Sequence, residues 1–235
     1  MKQTVLITGG SRGLGRHTAI AFGEAGYNVA ICGRNETDLD EVVRDILDVE
    51  GHAMRGVVDV RSAGAVRQYV SEVEAAMGPV DVLINNAGFS YYKPFVEWSI
   101  DEMDDVVDVN LKGTMYACHA VAPGMASRGS GYILNVASDI GRRAIPNMAA
   151  YVAAKHAVVG FSGSLLRELR ESGVKVSVVL PGIIDTHFGG TLPGTRDHHW
   201  AMKPEEVAQV LLGMVRQPGN LVLDEVTLHP LGQDF

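Results

Sequence analysis

Thr4-Val5-Leu6-Ile7-Thr8-Gly9-Gly10-Ser11-Arg12-Gly13-Leu14-Gly15 is the stretch from which the fold is read. Residues 4–8 form a short apolar, β-branched run without polar alternation, the pattern of a strand buried on both faces. Glycines then break the run, and a helical pattern extends from Leu14 to Ala25. Strand, glycine turn and helix make the first part of a βαβ unit. Further apolar runs at 28–32, 52–60, 80–84, 132–137, 174–180 and 221–228 read as strands. Helical patterns at 35–50, 62–77, from Ser99 to about 125, 149–170 and 204–216 separate them. Ser99 and Glu102 have capping-box spacing. The expectation is an α/β fold, one doubly wound parallel sheet of about seven strands with helices on both faces. Residues 1–235 are expected to form a single domain. Ligands of such sheets sit beyond the carboxyl ends of the strands, where every motif below falls.

With 235 residues the chain can bury a substantial core. Its net charge of −8 argues against a protein that binds nucleic-acid phosphates. Cys32 and Cys118 lie far apart and outside any CxxC or metal-type spacing, so a reducing, cytoplasmic setting is expected. The first apolar run is too short for a signal or membrane segment, and no stretch of about 18 apolar residues occurs. The histidines, His187, His198 and His199 among them, show no HExxH or Cys/His ligand spacing. No metal is expected.

Two local patterns carry chemistry. The glycine turn lets backbone N–H groups approach a phosphate at the positively polarised start of a helix. Tyr151 and Lys155 stand four apart on a helical pattern and share a face. A free tyrosine titrates near pH 10, too high for good proton transfer at neutrality. A nearby ammonium is expected to lower that pKa. Taken alone, a glycine turn is also a common tight turn, and a Tyr/Lys pair is also an ordinary helix-face contact.

Several dispersed motifs stand in order. Thr8-Gly9-x-x-x-Gly13-x-Gly15 is followed by Asp59-Val60 and Asn85-Asn86-Ala87-Gly88. Asn110, Ser138, Tyr151-x-x-x-Lys155 and Pro181-Gly182 come after them. In these the chain resembles the short-chain dehydrogenase/reductase family, in its shorter single-domain subclass, almost end to end. The resemblance implies a Rossmann-type fold and an oxidoreductase that interconverts a carbonyl and an alcohol. Tyr151 would be the acid/base, Lys155 would stabilise its phenolate and Ser138 would orient the carbonyl. The backbone carbonyl of Asn110 would help hold a proton-relay water on Lys155. A dinucleotide would meet Gly9, Ser11, Arg12, Gly13, Leu14 and Gly15. Asp59 would meet its adenine amine, Val60 its ring, and Asn86, Ala87 and Gly88 its ribose side. Pro181, Gly182, Ile184 and Thr186 would lie near the nicotinamide, with Tyr151 and Lys155 also in contact.

Where an NAD-selective member carries an acid after the second strand, this chain has Gly33, then Arg34. Arg12 and Arg34 suit a 2′-phosphate, so the expected cofactor is NADP(H). Substrate contacts are expected from Ser138, Ile140, Arg142, Met148, His187 and Trp200, with residues 187–203 as a lid. Arg142, His187 and Arg196 would suit a modest polar or acidic molecule, or equally be solvated. The ending, Leu228 to Phe235, resembles a branch containing small hydroxy-acid dehydrogenases more than it does the 3-ketoacyl thioester reductases. A homotetramer or homodimer is the family expectation, with the helices at 99–125 and 149–170 as its paired surfaces. Alternatives are a 3-ketoacyl thioester reductase, a non-catalytic NADP(H)-sensing regulator that would have no need of Tyr151 and Lys155, and a nucleotide-sugar epimerase or dehydratase. The last would show a different glycine spacing and a longer chain.

Overall fold

The computed structural model describes residues 2–196 and 198–233. Asp197 in the expected lid, and Asp234 and Phe235 in the tail, lie outside them. The strands are β1 (Thr4–Thr8), β2 (Asn28–Gly33), β3 (His52–Val57), β4 (Val80–Asn85), β5 (Gly131–Val136), β6 (Val174–Pro181) and β7 (Glu225–Leu228). They form one seven-stranded sheet in the order β3-β2-β1-β4-β5-β6-β7, with every pairing parallel. The helices are α1 (Gly13–Glu24), α2 (Glu36–Asp48), α3 (Ala63–Met77), α4 (Ile100–Val107), α5 (Gly113–Arg128), α6 (Ala149–Leu169) and α7 (Pro204–Val215). This is the doubly wound fold that the sequence led us to expect.

Side chains alternate along each strand and so feed two cores. Val5, Ile7, Val29, Ile31 and Ile84 face one way, packing with Phe22 of α1, Leu39 and Ile46 of α2, and Leu211 of α7. Leu6, Ala30, Leu83 and Ile133 face the other way, onto Val70 and Val73 of α3, Val121 and Met125 of α5, and Leu166 of α6. Among the described residues, no helix is long and apolar enough to cross a membrane.

Besides shifts of one to three residues elsewhere, three features differ from the sequence reading. β3 ends at Val57, because only Val58 continues the ladder, through its N–H to Gly33 O at 2.8 Å. β7 begins at Glu225 and not at 221. The helix from Ser99 carries the expected capping box, with Ser99 N–H to Glu102 Oε2 at 2.8 Å and Glu102 N–H to Ser99 Oγ at 3.2 Å. It is not one continuous α-helix, however. A π-helical segment, Asp108–Lys112, separates α4 from α5, and Asn110 sits within it. π segments are rare and occur often at functional sites. Hydrophobic periodicity does not register a single turn of altered winding.

β1 is flanked by β2 on one side and β4 on the other, and Thr8 pairs with Cys32 and Asn85. The chain therefore reverses its direction of progress across the sheet beside β1. The crevice at this switch point lies at the carboxyl ends of the strands.

Candidate functional site

The glycine turn is fastened from below by its neighbour strand. Thr8 Oγ1 accepts from the N–H groups of Asn86 (3.1 Å) and Ala87 (3.2 Å). Asn86 Nδ2 donates back to Thr8 O (3.2 Å) and Gly9 O (3.0 Å). Gly9 has φ +66° and Gly13 has φ +53°, conformations that favour glycine. A Cβ at Gly15 would stand 2.1 Å from Gly9 O, so the turn closes only with glycine there. Leu14 behind it is buried in the core. Thr8 opens the glycine motif, but its role in fastening the turn through Asn86 and Ala87 was not read from the sequence, because a threonine ending a strand reads simply as strand.

The residues fit a dinucleotide phosphate. Arg12 occupies the N-cap of α1 without forming a side-chain cap, and no acid stands in the first turn. The first N–H groups of a long helix are thus left for an anion. Gly33 lies against the turn, since a Cβ there would be 3.3 Å from Ser11 Oγ. Arg34 follows it. Arg12 and Arg34 are both exposed, and neither forms an ion pair among the described residues. Farther along, Asp59 is held by Arg61, with Nη2 at 2.6 Å and Nε at 3.0 Å. That guanidinium keeps the carboxyl below its ordinary range. Val60 is buried, and a Cβ at Gly113 would stand 2.8 Å from its Cγ2.

On the other side of the crevice, α6 presents Tyr151 and Lys155, only 6% and 3% exposed. Lys155 Nζ lies 5.4 Å from the Tyr151 ring centroid and donates to Val136 O, at the end of β5, at 2.9 Å. Ser138 follows that strand, and its hydroxyl is near enough to Tyr151 to favour the ionised phenol. Its hydroxyl also has Asp139 Oδ1 at 3.1 Å and Pro181 O at 3.4 Å. The turn 139–141 lies close against α6, where a Cβ at Gly141 would be 3.1 Å from Lys155 O.

Asn110 is fully buried. Its Nδ2 donates to Phe89 O and Val106 O, each at 2.8 Å, and its main-chain oxygen accepts from Thr114 Oγ1 at 3.0 Å. Its Oδ1 has no hydrogen-bond partner among the described residues. A Cβ at Gly88 would be 2.6 Å from that oxygen and 3.6 Å from Lys155 Nζ. Gly88 thus leaves the gap in which the two groups approach each other.

The electrostatics correct one expectation. Burial pushes Tyr151 above its ordinary value, with the nearby Asp139 charge adding to the rise and the Ser138 hydrogen bond opposing it. The sequence reading had Lys155 lowering Tyr151. Burial also depresses Lys155, to about 7, so near neutrality the lysine has lost much of the charge that would favour phenolate. In the unfolded chain lysine titrates near 10.4, so from pH 7 upward the unfolded state binds the extra proton. Unfolding free energy is therefore expected to rise with pH, by up to about 1.4 kcal/mol per unit between roughly pH 7 and 8.5. Lys155→Met should lack this increment. Urea titrations of both proteins across that range check it, and equal pH slopes would refute it.

Ile140 and Met148 share an apolar cluster with Tyr151, Trp98 and Val106. An edge-to-face ladder flanks it, Phe89 to Tyr91 at 5.5 Å and Tyr91 to Trp98 at 5.7 Å. Phe188 lies 5.4 Å from the Tyr151 ring and is a further residue the sequence reading did not single out, although it falls within the expected lid. Thr186 is buried against Gly13 and accepts from Phe188 N–H at 3.3 Å. Ile184 bridges to Met202. His187 O accepts from Gly190 N–H at 3.2 Å, closing the short turn that begins at Phe188. Trp200 is half exposed and packs edge-on against His199, outside the cluster. Arg142 is turned to Glu225, with contacts of 3.0 and 2.5 Å.

The sequence model of the family described as short chain dehydrogenase matches residues 3–196. The chain belongs to the short-chain dehydrogenase/reductase family. An uncharacterized oxidoreductase of Staphylococcus saprophyticus is 31% identical over 234 residues, 97% of each chain. A 3-oxoacyl-acyl-carrier-protein reductase of Staphylococcus epidermidis is 37% identical over 185 residues, 78% of this chain and 76% of its own. Among solved structures, an alcohol dehydrogenase from the archaeon Thermococcus sibiricus, complexed with 5-hydroxy-NADP, superposes with a TM-score of 0.94. It is 28% identical, and the match covers 100% of this chain and 99% of that one. The chain is therefore an oxidoreductase acting on CH–OH groups.

Proposed function

We propose that this short-chain dehydrogenase interconverts a neutral, largely apolar ketone or aldehyde and its alcohol, using NADP(H). The observation that carries the reading is Tyr151, buried between Lys155 and Ser138 and backed by an aromatic and aliphatic wall. NADP(H), when bound, supplies or accepts the hydride. Gly9, Ser11, Gly13, Leu14 and Gly15 would cradle its phosphates, while Arg12 and Arg34 would meet its 2′-phosphate. Asp59, Val60, Asn86, Ala87 and Gly88 would border the nucleoside side. Pro181, Gly182, Ile184 and Thr186 would border the nicotinamide side.

In reduction, Tyr151 Oη gives its proton to the carbonyl oxygen as that oxygen gains charge. Ser138 Oγ donates a hydrogen bond to the same oxygen and holds it against the phenol. Lys155 then stabilises the phenolate. It does so with more charge than the ligand-free lysine keeps, since a new negative neighbour favours the ammonium. Asn110 holds the Phe89 loop and leaves Oδ1 beside Lys155 as an acceptor for a relay of protons.

The side chains near the wall favour an uncharged substrate. Lys93 is held by Glu102 at 2.7 Å, Arg142 by Glu225, and Arg143 donates to Asp139 at 2.5 Å. A keto acid would have to break one of these pairs or recruit His187 or Arg196. Ile140, Met148 and Phe188 supply apolar contact, with residues 187–203, Trp200 included, as the lid. A second reading, a 3-ketoacyl thioester reductase, is favoured by the Staphylococcus epidermidis relative. The apolar groove of α5 and α6, lined by Met115, Tyr116, Ala122, Phe161 and Leu165, supports assembly as a homotetramer through these helices. The buried free thiols of Cys32 and Cys118 are in keeping with a cytoplasmic setting.

The test is NADPH oxidation, followed by absorbance, against simple ketones, aldehydes, keto acids and ketoacyl thioesters, with NADH in parallel. Turnover of apolar ketones or aldehydes with NADPH is expected to exceed that of keto acids at least tenfold in kcat/KM. Preference for thioesters would establish the second reading. Preference for keto acids would overturn the argument from paired charges.

A further inference from the structure

Gln233 lies at the far end of the described chain, yet its side chain is buried at the mouth of the sheet. Its Nε2 donates to Asp139 Oδ2 at 2.5 Å, and its Oε1 accepts from Ile183 N–H at 2.9 Å. One amide thus joins the turn after β5 to the turn after β6. Gly182 gives way to it, since a Cβ there would stand 2.2 Å from Gln233 Oε1. Asp139 is itself buried. Its Oδ1 accepts from Ile140 N–H at 2.8 Å and faces Ser138 Oγ. Its Oδ2 accepts from Arg143 Nη2 at 2.5 Å and Nε at 3.2 Å, and from Gln233.

We propose that Gln233 is a positioning residue for Ser138, acting through the Asp139 carboxylate and tying the turns after β5 and β6 into one unit. A carboxylate pivots freely about its bond to Cβ unless both oxygens are held. Arg143 and Gln233 together hold Oδ2, which leaves Oδ1 fixed between Ile140 N–H and Ser138. A hydroxyl has one proton and two lone pairs, so the placement of Oδ1 sets how strongly it competes with the substrate carbonyl for the one Ser138 proton, and where Oγ is held meanwhile. The second acceptor near Ser138, Pro181 O, ends β6 and leads directly into the other turn that Gln233 grips. Loosening the amide therefore moves both acceptors of the same hydroxyl. Displacements of about an ångström in such groups can cost up to a hundredfold in rate. Gln233 acts without touching substrate or cofactor. Its kinetic role rests on the reading of Ser138 and Tyr151 proposed above.

The test uses the full-length chain carrying Gln233→Ala, Gln233→Glu, or Gln233→Glu together with Asp139→Asn. Glutamate keeps an acceptor for Ile183 but sets a second carboxylate against Asp139. The double variant returns a donor–acceptor pair with the roles exchanged, and it leaves the new carboxylate at position 233 in place of Asp139 as the anion for the Arg143 guanidinium. Each single change is expected to lower kcat about tenfold, with KM and the NADPH dissociation constant within threefold of wild type. The double variant should recover part of the loss, which a general weakening of the fold would not produce. Hydrogen exchange at the peptide containing Ile183 should accelerate in Gln233→Ala, a readout independent of turnover. If Gln233→Ala fails to fold, Gln233→Glu carries the comparison. Wild-type kcat in both single variants would overturn the proposal. So would losses in kcat, nucleotide affinity and melting temperature that run in proportion without recovery in the double variant. If Tyr151→Phe retains full activity, the proposed function falls instead, and the exchange experiment still reports whether the clamp exists.

Discussion

Replacing Tyr151 by phenylalanine is expected to lower kcat about a thousandfold while nucleotide affinity changes no more than a few-fold. The change removes one oxygen from a ring packed among Ile140, Met148, Trp98 and Phe188. Phenylalanine fits the same space, so the fold should survive. What disappears is the phenolic proton that the proposed mechanism gives to the carbonyl oxygen. General acid–base groups contribute about a hundredfold to ten-thousandfold, and a thousandfold is the middle of that range. Single-turnover measurements with saturating NADPH, alongside nucleotide titration by fluorescence, separate chemistry from binding. A variant with more than a tenth of the wild-type rate would remove Tyr151 from the mechanism.

The second large effect concerns the choice between the two nicotinamide dinucleotides. Arg12 and Arg34 are exposed and without ion pairs among the described residues, so substituting them disturbs little else. A phosphate contact with an exposed arginine is screened by solvent, which limits each to about 1.4 kcal/mol, or tenfold. The double change to alanine should weaken NADPH binding about a hundredfold and leave NADH nearly unaffected. Gly33→Asp offers the converse. Its Cβ would meet Ser11 Oγ, the end of a small movable side chain, at 3.3 Å, with Ser11 Cβ at 3.5 Å and Leu39 Cδ2 at 3.7 Å in ordinary contact. The new carboxylate would repel a 2′-phosphate and accept from a free 2′-hydroxyl. Together the three changes should reverse the preference. Raising salt should weaken NADPH binding in wild type and not in the double variant. Equal affinities of wild type and the double variant for NADPH would show that the arginines are ordinary solvated side chains.

Much of this was legible in the sequence because it is written in local chemistry. The strand at 4–8, the glycines at 9, 13 and 15 and the Ser99–Glu102 cap each determine their own surroundings, and the structure keeps all of them. Tyr151 and Lys155 were readable as a pair because helical spacing places them on one face. What could not be read depends on contacts between distant segments. The hydroxyl of Thr8 acquires its role from amides at 86 and 87, and Gln233 from a carboxylate at 139 and an amide at 183. The direction of the Tyr151 shift was misjudged for a related reason. Charge proximity is visible in spacing, but the depth at which a group is buried is decided by the rest of the fold. Arg142 was a reasonable candidate for an acidic substrate until β7 brought Glu225 beside it.

A rod that changes its winding partway along does not pass rotation faithfully from one end to the other. α4 and α5 are joined through the π segment 108–112, so each helix keeps its own phase: Val106 faces Tyr151's cluster, while Val121 and Met125 face the sheet. Losing a single residue there would turn α4 by about 100° against α5. Val106 would swing out of its cluster, and Asn110 could no longer hold both the Phe89 loop and the preceding turn. Most single substitutions at exposed Lys112 or half-buried Asp108 and Leu111 would leave the phase intact. Its spelling is therefore freer than its length, and an indel library across 108–112 should lose activity far more uniformly than a substitution library does.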